Sequence, residues 1–498
     1  MASSLGLVDT KKEEEGPGPH VQVDNGTSFA DVGADTVTPV QQWSPDEERK
    51  LVRKLDLTLI PGLWILQVLS HLDRSNIGNA RIAGMSTDLD LSSSQFSMII
   101  VVFYISYIPA SPLGNMLVVR TRPSILLPFL VVSWGIITCG QGLAKTYPQL
   151  IVLRVLMGAL ETSLQPACIM LLSSWYRPSE QAKRAVAYTS STFFGGAFGG
   201  LLAGAITGNL EGARGIRGWK WLFLIEGVIT IFLGLISIFL IPDFPENSRR
   251  FDASECQIAT LRMKQAGVTG YCGKALGGKK MSKVESVLVV LCDWRVWAIT
   301  FGTMVLGCSY VLPYFYPTLV KGMGYSNPVT AQYMTVPIWI VALVWSIGIC
   351  IMADRMHASR ALFISVSMGY AMIMTVAVCC VYGYVERYAL LIIMATGVWS
   401  TLPVGSSFAA TTFRDMAPEA RAIAVACTSA GSQVGNIYGA YLFPAEAGPK
   451  YLFGFGTIAG TQCLGSLVFF CIFILLRRRD AHSKSAAACG SPPTINNG

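Results

Sequence analysis

The chain has 498 residues, of which 52% are hydrophobic and only 14% are charged. Soluble proteins carry roughly 25% charged residues, so the composition excludes a soluble globular protein and predicts an all-α protein in the lipid bilayer. The net charge of +8 does not indicate nucleic-acid binding, because the basic residues follow the predicted membrane topology. The 13 cysteines fall in apolar spans or in predicted cytoplasmic segments, where disulfides are not expected.

The first fifty residues are polar and lack the apolar core of a signal peptide. Twelve segments that are long and apolar enough to cross a bilayer as helices follow. Their predicted bounds are 55–80, 94–118, 124–144, 149–173, 186–209, 219–241, 296–319, 329–352, 360–382, 388–412, 421–443 and 451–476. A polar, basic segment separates the first six spans from the last six.

The sequence therefore predicts two six-helix bundles. The predicted parts are a disordered tail at 1–50, an N-terminal bundle at 51–241, a central loop at 242–295, a C-terminal bundle at 296–476 and a tail at 477–498. Most of the 38 Lys and Arg residues fall on one side of the alternating spans, together with both tails. The positive-inside rule predicts that this side, including both termini, is cytoplasmic.

The two halves resemble each other where the fourth and tenth spans end. Arg177–Ala187 reads RPSEQAKRAVA and Arg414–Ala424 reads RDMAPEARAIA. Both segments place a Pro, a Glu and an Arg-Ala pair just before the next span. This internal repeat is typical of transporters built from two related halves.

Five charged residues lie inside predicted spans and away from the span ends, and all belong to the first half: Asp73, Arg74, Arg154, Glu161 and Glu226. Charges in a bilayer usually face a partner or an aqueous path. Arg74 or Arg154 is predicted to bind an anionic substrate, while Asp73 or Glu161 exchanges a proton in a low-dielectric environment. The alternative for Asp73 is a neutralising pair with Arg74 or Arg154. Glu226 is predicted to be structural.

A histidine and a set of regularly spaced glycines extend this prediction. His71 is a candidate for proton coupling because imidazole titrates near neutral pH, although a simple hydrogen bond is the alternative. Gly196, Gly200, Gly204 and Gly208 form a ladder that lets a neighbouring helix approach closely.

The second half supplies uncharged candidates for substrate binding. Aromatic and amide side chains can line a cavity with stacking surfaces and hydrogen bonds, although packing alone is the alternative for the aromatic residues. Tyr310 and Tyr314 are expected to share a helix face. The predicted substrate-binding residues here are Tyr310, Tyr314, Trp399, Gln433 and Asn436.

The sequence gives no support for catalysis or for a bound cofactor. The histidines do not cluster with Cys or Asp at metal-binding spacing, and no phosphate-binding GxxxxGK[ST] loop occurs. We therefore predict neither a metal nor a cofactor, no ATP-driven pumping and no enzymatic activity.

Four motifs carry a resemblance to a known family. Leu72–Ala80 (LDRSNIGNA), Arg154–Glu161 (RVLMGALE), Gly218–Gly227 (GWKWLFLIEG) and Ile241–Glu246 (IPDFPE) resemble motifs of the fungal anion:cation symporter family, the allantoate permease branch of the major facilitator superfamily. The resemblance spans roughly residues 50–480. His71 departs from it, because the family usually has Tyr at that position.

The resemblance implies a proton-coupled carrier of small organic anions such as allantoate, nicotinate or pantothenate. Its functional positions correspond to Asp73, Arg74, Arg154, Glu161 and Glu226. The expected partners are the substrate, protons and the bilayer, with a monomer in the plasma membrane and an organelle membrane as the alternative. Export of a secondary metabolite or drug-like compound is the rival function, and a non-transporting nutrient sensor is a further one.

Overall fold

The chain is a succession of helices in the computed structural model, which describes residues 43–266, 283–356, 359–413 and 416–488. The described residues from Pro45 onward form one compact unit. Most of the tail predicted at 1–50, and the end of the tail predicted at 477–498, lie outside the described residues.

The first half contains eight α-helices. They are α1 (Pro45–Ala80), α2 (Ser86–Asp88), α3 (Ser93–Arg120), α4 (Pro123–Leu143), α5 (Tyr147–Glu161), α6 (Leu164–Trp175), α7 (Pro178–Asn209) and α8 (Gly218–Ser237). A π-helical turn, Arg81–Met85, joins α1 to α2. Proline occupies the first turn of α4 and α7, where its missing N–H leaves no helical hydrogen bond unmade.

Two helices, α9 (Ala253–Gln265) and α10 (Lys283–Cys292), lie within the central segment, and the second half follows. Its helices are α11 (Trp294–Gly307), α12 (Tyr316–Gly322), α13 (Pro328–Tyr333), α14 (Val336–Arg355), α15 (Arg360–Cys380), α16 (Tyr384–Thr412), α17 (Pro418–Gly439) and α18 (Leu452–Ala488).

Ten helical segments in the described part of the chain are long and apolar enough to cross a membrane, and each overlaps a predicted span. The other two predicted spans, 186–209 and 421–443, lie largely in α7 and α17, which are not among these ten. Both helices are rich in Gly, Ala, Ser and Thr. One side of each packs against the opposite half of the molecule rather than facing outward, which reduces the need for large apolar side chains.

Two predicted spans are interrupted helices. The span predicted at 149–173 consists of α5 and α6, with a break at Thr162 and Ser163. The span predicted at 296–319 contains a 3-10 helix, Ser309–Tyr314, between α11 and α12. A 3-10 helix has three residues per turn, so the expectation that Tyr310 and Tyr314 share a face is wrong. In transporters, interrupted helices expose backbone groups near the binding site.

The two halves meet most closely at one end of the molecule, which we call the distal end: the end at which α1 finishes and α3 begins. There the Ser97 hydroxyl donates to the Ala440 carbonyl at 2.7 Å, and the Gln332 amide donates to the Asn79 carbonyl at 3.3 Å. Ser93 donates to the Glu446 carboxylate at 2.9 Å. The backbone N–H of Glu446 and the Ser93 hydroxyl hold the pKa of this exposed carboxyl below its usual value, so the link persists at neutral pH.

The glycine ladder of α7 forms a large part of this contact. A Cβ atom added at Gly196 would overlap the Trp339 ring, and one at Gly204 would lie 2.6 Å from the Tyr333 ring. At Gly200, an added Cβ would overlap the Thr335 hydroxyl and lie 2.9 Å from the Gln332 carbonyl oxygen. The glycine ladder therefore faces α13 and α14 of the second half.

We expect Gly200→Ala to destabilise the protein by about 1–3 kcal/mol, as overpacking in a closely packed contact does. The backbone carbonyl of Gln332 can move only if the two halves separate. The matched control is Gly199→Ala on the same helix, where the added Cβ makes ordinary contacts with the Ser75 hydroxyl at 3.4 Å and the Leu72 side chain at 4.0 Å. Thermal unfolding of both purified variants in detergent checks this, and equal melting temperatures would contradict the assigned role.

The central segment is attached to the first half through α9. The Arg262 side chain is buried, and it donates to Glu48 at 2.8 Å and to Glu180 at 2.6 Å. Lys54 of α1 pairs with Glu255 of α9 at 2.7 Å. These ion pairs join the beginnings of α1 and α7 to α9, at the end of the molecule opposite the distal end.

Candidate functional site

The candidate residues in the last three turns of α1 point in different directions. Successive positions of a helix lie about 100° apart, so Asp73 and Arg74 contact different helices. Asp73 is held by α4 and α8, whereas Arg74 is held by α5 and α3. Both lie within the compact first half, but only Arg74 lies beside the contact with the second half.

Arg74 forms an ion pair with Glu161. The Nε atom of Arg74 lies 2.6 Å from Oε1 of Glu161, and the Ser70 hydroxyl donates to the same oxygen. The guanidinium carbon of Arg74 lies 5.2 Å from the centre of the Phe103 ring and 5.0 Å from that of Tyr107. Cation–π contacts of this kind gain strength when they are removed from water. Glu161 is the last residue of α5, beside the break in that span.

Asp73 accepts hydrogen bonds only from neutral donors. The Trp134 indole N–H and the Thr230 hydroxyl donate to Oδ2 at 3.1 and 3.2 Å. Its other oxygen, Oδ1, is buried with no hydrogen-bond partner among the described residues. The neutralising pair with an arginine is therefore absent from the described contacts of Asp73, although Glu161 and Arg154 are near enough to interact with it electrostatically.

Arg154 is a buried cation for which the described part of the chain supplies neither an ion pair nor an oxygen acceptor. Its side chain is 2% exposed, and Nη1 contacts the Met157 sulfur at 3.9 Å. Nε and Nη2 have no hydrogen-bond partner among described residues. The Gln141 amide donates to the same sulfur at 3.3 Å, so it lies beside the guanidinium. An uncompensated buried charge is costly, so these two unused nitrogens are the feature of Arg154 that requires an explanation.

A pair of tyrosines joins the halves next to these charges. The hydroxyl groups of Tyr104 on α3 and Tyr314 in the 3-10 helix lie 3.0 Å apart. Both interact electrostatically with Arg74 and Arg154. Gly78 permits this approach, because a Cβ atom there would overlap the Tyr314 carbonyl oxygen. Sequence reasoning missed Tyr104, since an aromatic residue in an apolar span carries no distinguishing signal.

The predicted aromatic residues of the second half form a cluster. Tyr310 stacks on Trp399 with ring centres 5.6 Å apart, and its hydroxyl lies 2.9 Å from that of Thr401. The Trp399 indole donates to Tyr316 at 3.0 Å, and its ring lies 4.8 Å from Trp339, which covers Gly196. This cluster therefore lies at the contact between the halves.

The remaining candidates lie apart from the charged group. His71 is 3.0 Å from the Thr192 hydroxyl of α7. Glu226, on α8, is buried. It lines an apolar cavity of about 310 Å³ together with Trp64 and Phe198. Asn436 is buried and donates to Gln433 at 3.4 Å. The structure therefore groups Arg74, Arg154 and Glu161 with Tyr314. His71 and Glu226 make no described hydrogen bond to these residues, although His71 interacts electrostatically with Arg74, and Glu226 with Asp73.

No group of three or more His, Cys, Asp or Glu side chains suited to a metal ion occurs among the described residues. The arrangement instead combines apolar spanning helices, interrupted spans and a buried guanidinium with unused donors. These features are typical of membrane transporters.

Comparison with known proteins also indicates a membrane transporter. Residues 63–440 match the Major Facilitator Superfamily, and the chain belongs to that family. It is 31% identical over 453 residues to the MFS-type transporter cnsO of Penicillium expansum, covering 88% of this chain and 85% of that protein. It is 28% identical over 445 residues to the high-affinity nicotinic acid transporter of Saccharomyces cerevisiae, covering 88% and 80% of the two chains.

The fold is also that of solved transporters. A bacterial homologue of the human lysosomal transporter Spinster, in an inward-facing and unoccupied conformation, superposes with a TM-score of 0.63. The identity is 15%, and the match covers 88% of this chain and 98% of that one. The chain is therefore an integral membrane transporter rather than an enzyme.

Proposed function

We propose that this transporter carries a small organic anion, coupled to protons, by alternating access of its two halves. The observation that carries the proposal is the Arg154 guanidinium, which is buried with two nitrogens that have no hydrogen-bond partner in the described residues. A carboxylate can accept two parallel hydrogen bonds from one guanidinium. A monocarboxylate or a similar small anion would thereby neutralise the buried charge.

Arg74 and the two tyrosines complete the proposed anion site. The Tyr104 and Tyr314 hydroxyls can donate to an anion held by Arg154, because both lie in its electrostatic surroundings. Arg74 is already paired with Glu161, so in this arrangement it contributes no free positive charge. The similarity to a nicotinic acid transporter supports a carboxylate as the substrate class.

Glu161 is the proposed coupling group. Protonation of its carboxyl would release Arg74 from the ion pair and leave a second guanidinium available for the anion. Proton and anion would then bind together, which is the requirement for symport. Asp73, held by neutral donors, is the second proposed proton carrier. His71 lies against Thr192 and has the weakest structural support.

The second half is proposed to select the substrate. Tyr310 and Trp399 provide a flat aromatic surface at the contact between the halves, and Gln433 and Asn436 provide amide groups on α17. We further propose that the carrier acts as a monomer in the plasma membrane with both termini in the cytoplasm.

Uptake of radiolabelled carboxylates tests the function. The panel comprises nicotinate, pantothenate, allantoate and short dicarboxylates, supplied to yeast that lacks its own high-affinity nicotinic acid transporter and expresses this chain. We expect uptake of at least one compound, reduced by a protonophore. No uptake with the protein at the cell surface would contradict import of these anions and favour export, which efflux from preloaded cells would then measure.

Glu161→Gln tests the coupling. The amide can still accept from Arg74 and Ser70 but cannot exchange a proton, so we expect uptake of the transported anion to become insensitive to the protonophore. Exchange of labelled for unlabelled anion, which needs no net proton movement, should persist. Asp73→Asn is the parallel variant that separates the two carboxyl groups. Unchanged protonophore sensitivity in Glu161→Gln would remove Glu161 from the coupling mechanism.

A further inference from the structure

A row of buried polar atoms without partners runs through the inside of the first half. Among the described residues, hydrogen-bond partners are lacking for Asp73 Oδ1, both amide atoms of Asn76, Gln141 Oε1, and Nε and Nη2 of Arg154. The four residues are at most 2% exposed. Unsatisfied polar groups at this depth are costly, so a cluster of them in one place requires a common explanation.

The row has a defined order in space. Asn76 follows Asp73 by three residues, so it lies on the same side of α1, about 4.5 Å closer to the distal end. Gln141 and Arg154 both donate to the Met157 sulfur, at 3.3 and 3.9 Å. Arg154 interacts electrostatically with Asp73. Gln141 follows Trp134, the donor to Asp73, by seven residues on the same face of α4. Gln141 and Asn76 therefore both lie on the distal side of Asp73. Arg154 lies beside Gln141.

The mixture of donors and acceptors indicates what occupies the row. A metal cation would suit the oxygens of Asp73, Asn76 and Gln141 but would be repelled by the guanidinium. An anion would suit Arg154 at one end of the row, but Asp73 would repel an anion that extended along the row. Water both donates and accepts, and buried water typically satisfies two to four polar groups.

We propose that bound water molecules fill this row and connect the Asp73 carboxyl to the Arg154 guanidinium by hydrogen bonds. Asn76 and Gln141 are positioning residues for this water. The connection runs between α1, α4 and α5, apart from the contact between the halves. Resting on the proposed function, it gives a proton at Asp73 a route to the place where the anion binds, so anion occupancy and the charge of Asp73 are linked.

Hydroxyl-radical footprinting by water radiolysis tests the proposal, because radicals formed from bound water oxidise the side chains beside it. Met157 and Trp134 lie at the two ends of the row, and both are 0% exposed. Met394 and Trp175 are matched controls, also 0% exposed, and Trp175 donates to a backbone carbonyl. In the wild-type protein in nanodiscs, we expect several-fold faster oxidation of Met157 and Trp134 than of the controls. Equal, slow oxidation would overturn the proposal.

Two variants then assign the positioning residues. Gln141→Leu and Asn76→Leu remove polar groups that hold the water, so each should slow the oxidation of Met157. Gln462→Leu, at another buried amide in the second half, should leave it unchanged. Fast oxidation of Met157 in both row variants would remove Asn76 and Gln141 from the water site. The measurement uses no transported solute, so its failure is distinguishable from a failure of the uptake experiment.

Discussion

Arg154→Gln should abolish transport and, at the same time, raise the thermal stability of the ligand-free protein. Loss of one member of a buried charged pair costs about 2–5 kcal/mol of binding. Since each 1.4 kcal/mol is a factor of ten, anion uptake should fall by about thirtyfold to a few thousandfold. In the free protein the same guanidinium is buried without an ion pair in the described structure. Its removal eliminates a desolvation cost.

Lower uptake together with higher thermal stability would distinguish a role of Arg154 in binding from a role in holding the fold. Uptake of the transported anion and the melting temperature in detergent are measured on the same variant, with cell-surface amount as the control for expression. Arg214→Gln, at an exposed loop residue, should change neither quantity. Arg154→Lys keeps the charge but loses the two-pronged geometry, so partial uptake is expected. A lower melting temperature for Arg154→Gln would show that the guanidinium supports the fold instead.

Arg262→Ala should produce the largest loss of stability outside the spanning helices. Arg262 is 1% exposed and joins Glu48 of α1 to Glu180 of α7. Removing it leaves the Glu180 carboxylate without this cation, facing Glu48, which keeps its ion pair with Arg177 at 3.0 Å. Breaking a buried pair in this way costs about 3–5 kcal/mol. We expect a clearly lower melting temperature and faster proteolytic cleavage at α9.

Lys264→Ala is the matched control, because Lys264 is an exposed cation on the same helix. Exposed substitutions usually change stability by less than about 0.5 kcal/mol. Adding Glu180→Gln to Arg262→Ala should recover part of the loss, because it removes one of the two facing charges. Equal melting temperatures for Arg262→Ala and Lys264→Ala would show that α9 is held by its other contacts.

Hydropathy predicted most of the spanning helices because burial in a bilayer requires about twenty apolar residues in succession, and few sequences meet that condition by chance. It was less informative for the fifth and eleventh spans, where contact with the other half takes the place of lipid. The interruptions at Thr162 and Ser163 and at Ser309–Tyr314 were also not predicted, since tertiary contacts stabilise them and no local signal marks them.

The charged candidates were visible in the sequence because a charge inside an apolar span is rare. Their pairing was not visible: Glu161 lies 87 positions from Arg74 yet forms its ion pair. Gln141, Trp134 and Thr230 gave no signal, because single polar or aromatic residues are common in spanning helices. The surroundings of Asp73 and Arg154 therefore required the three-dimensional structure.

Because of the glycine ladder, the two sides of the contact between the halves differ in how well they tolerate substitutions. All of the bulk comes from one side: Val329, Tyr333 and Trp339 lie against bare backbone on α7. A smaller residue on that side leaves a cavity, whereas a side chain at Gly196, Gly200 or Gly204 would overlap atoms of the second half. We therefore expect single substitutions to be tolerated better on α13 and α14 than at these three glycines.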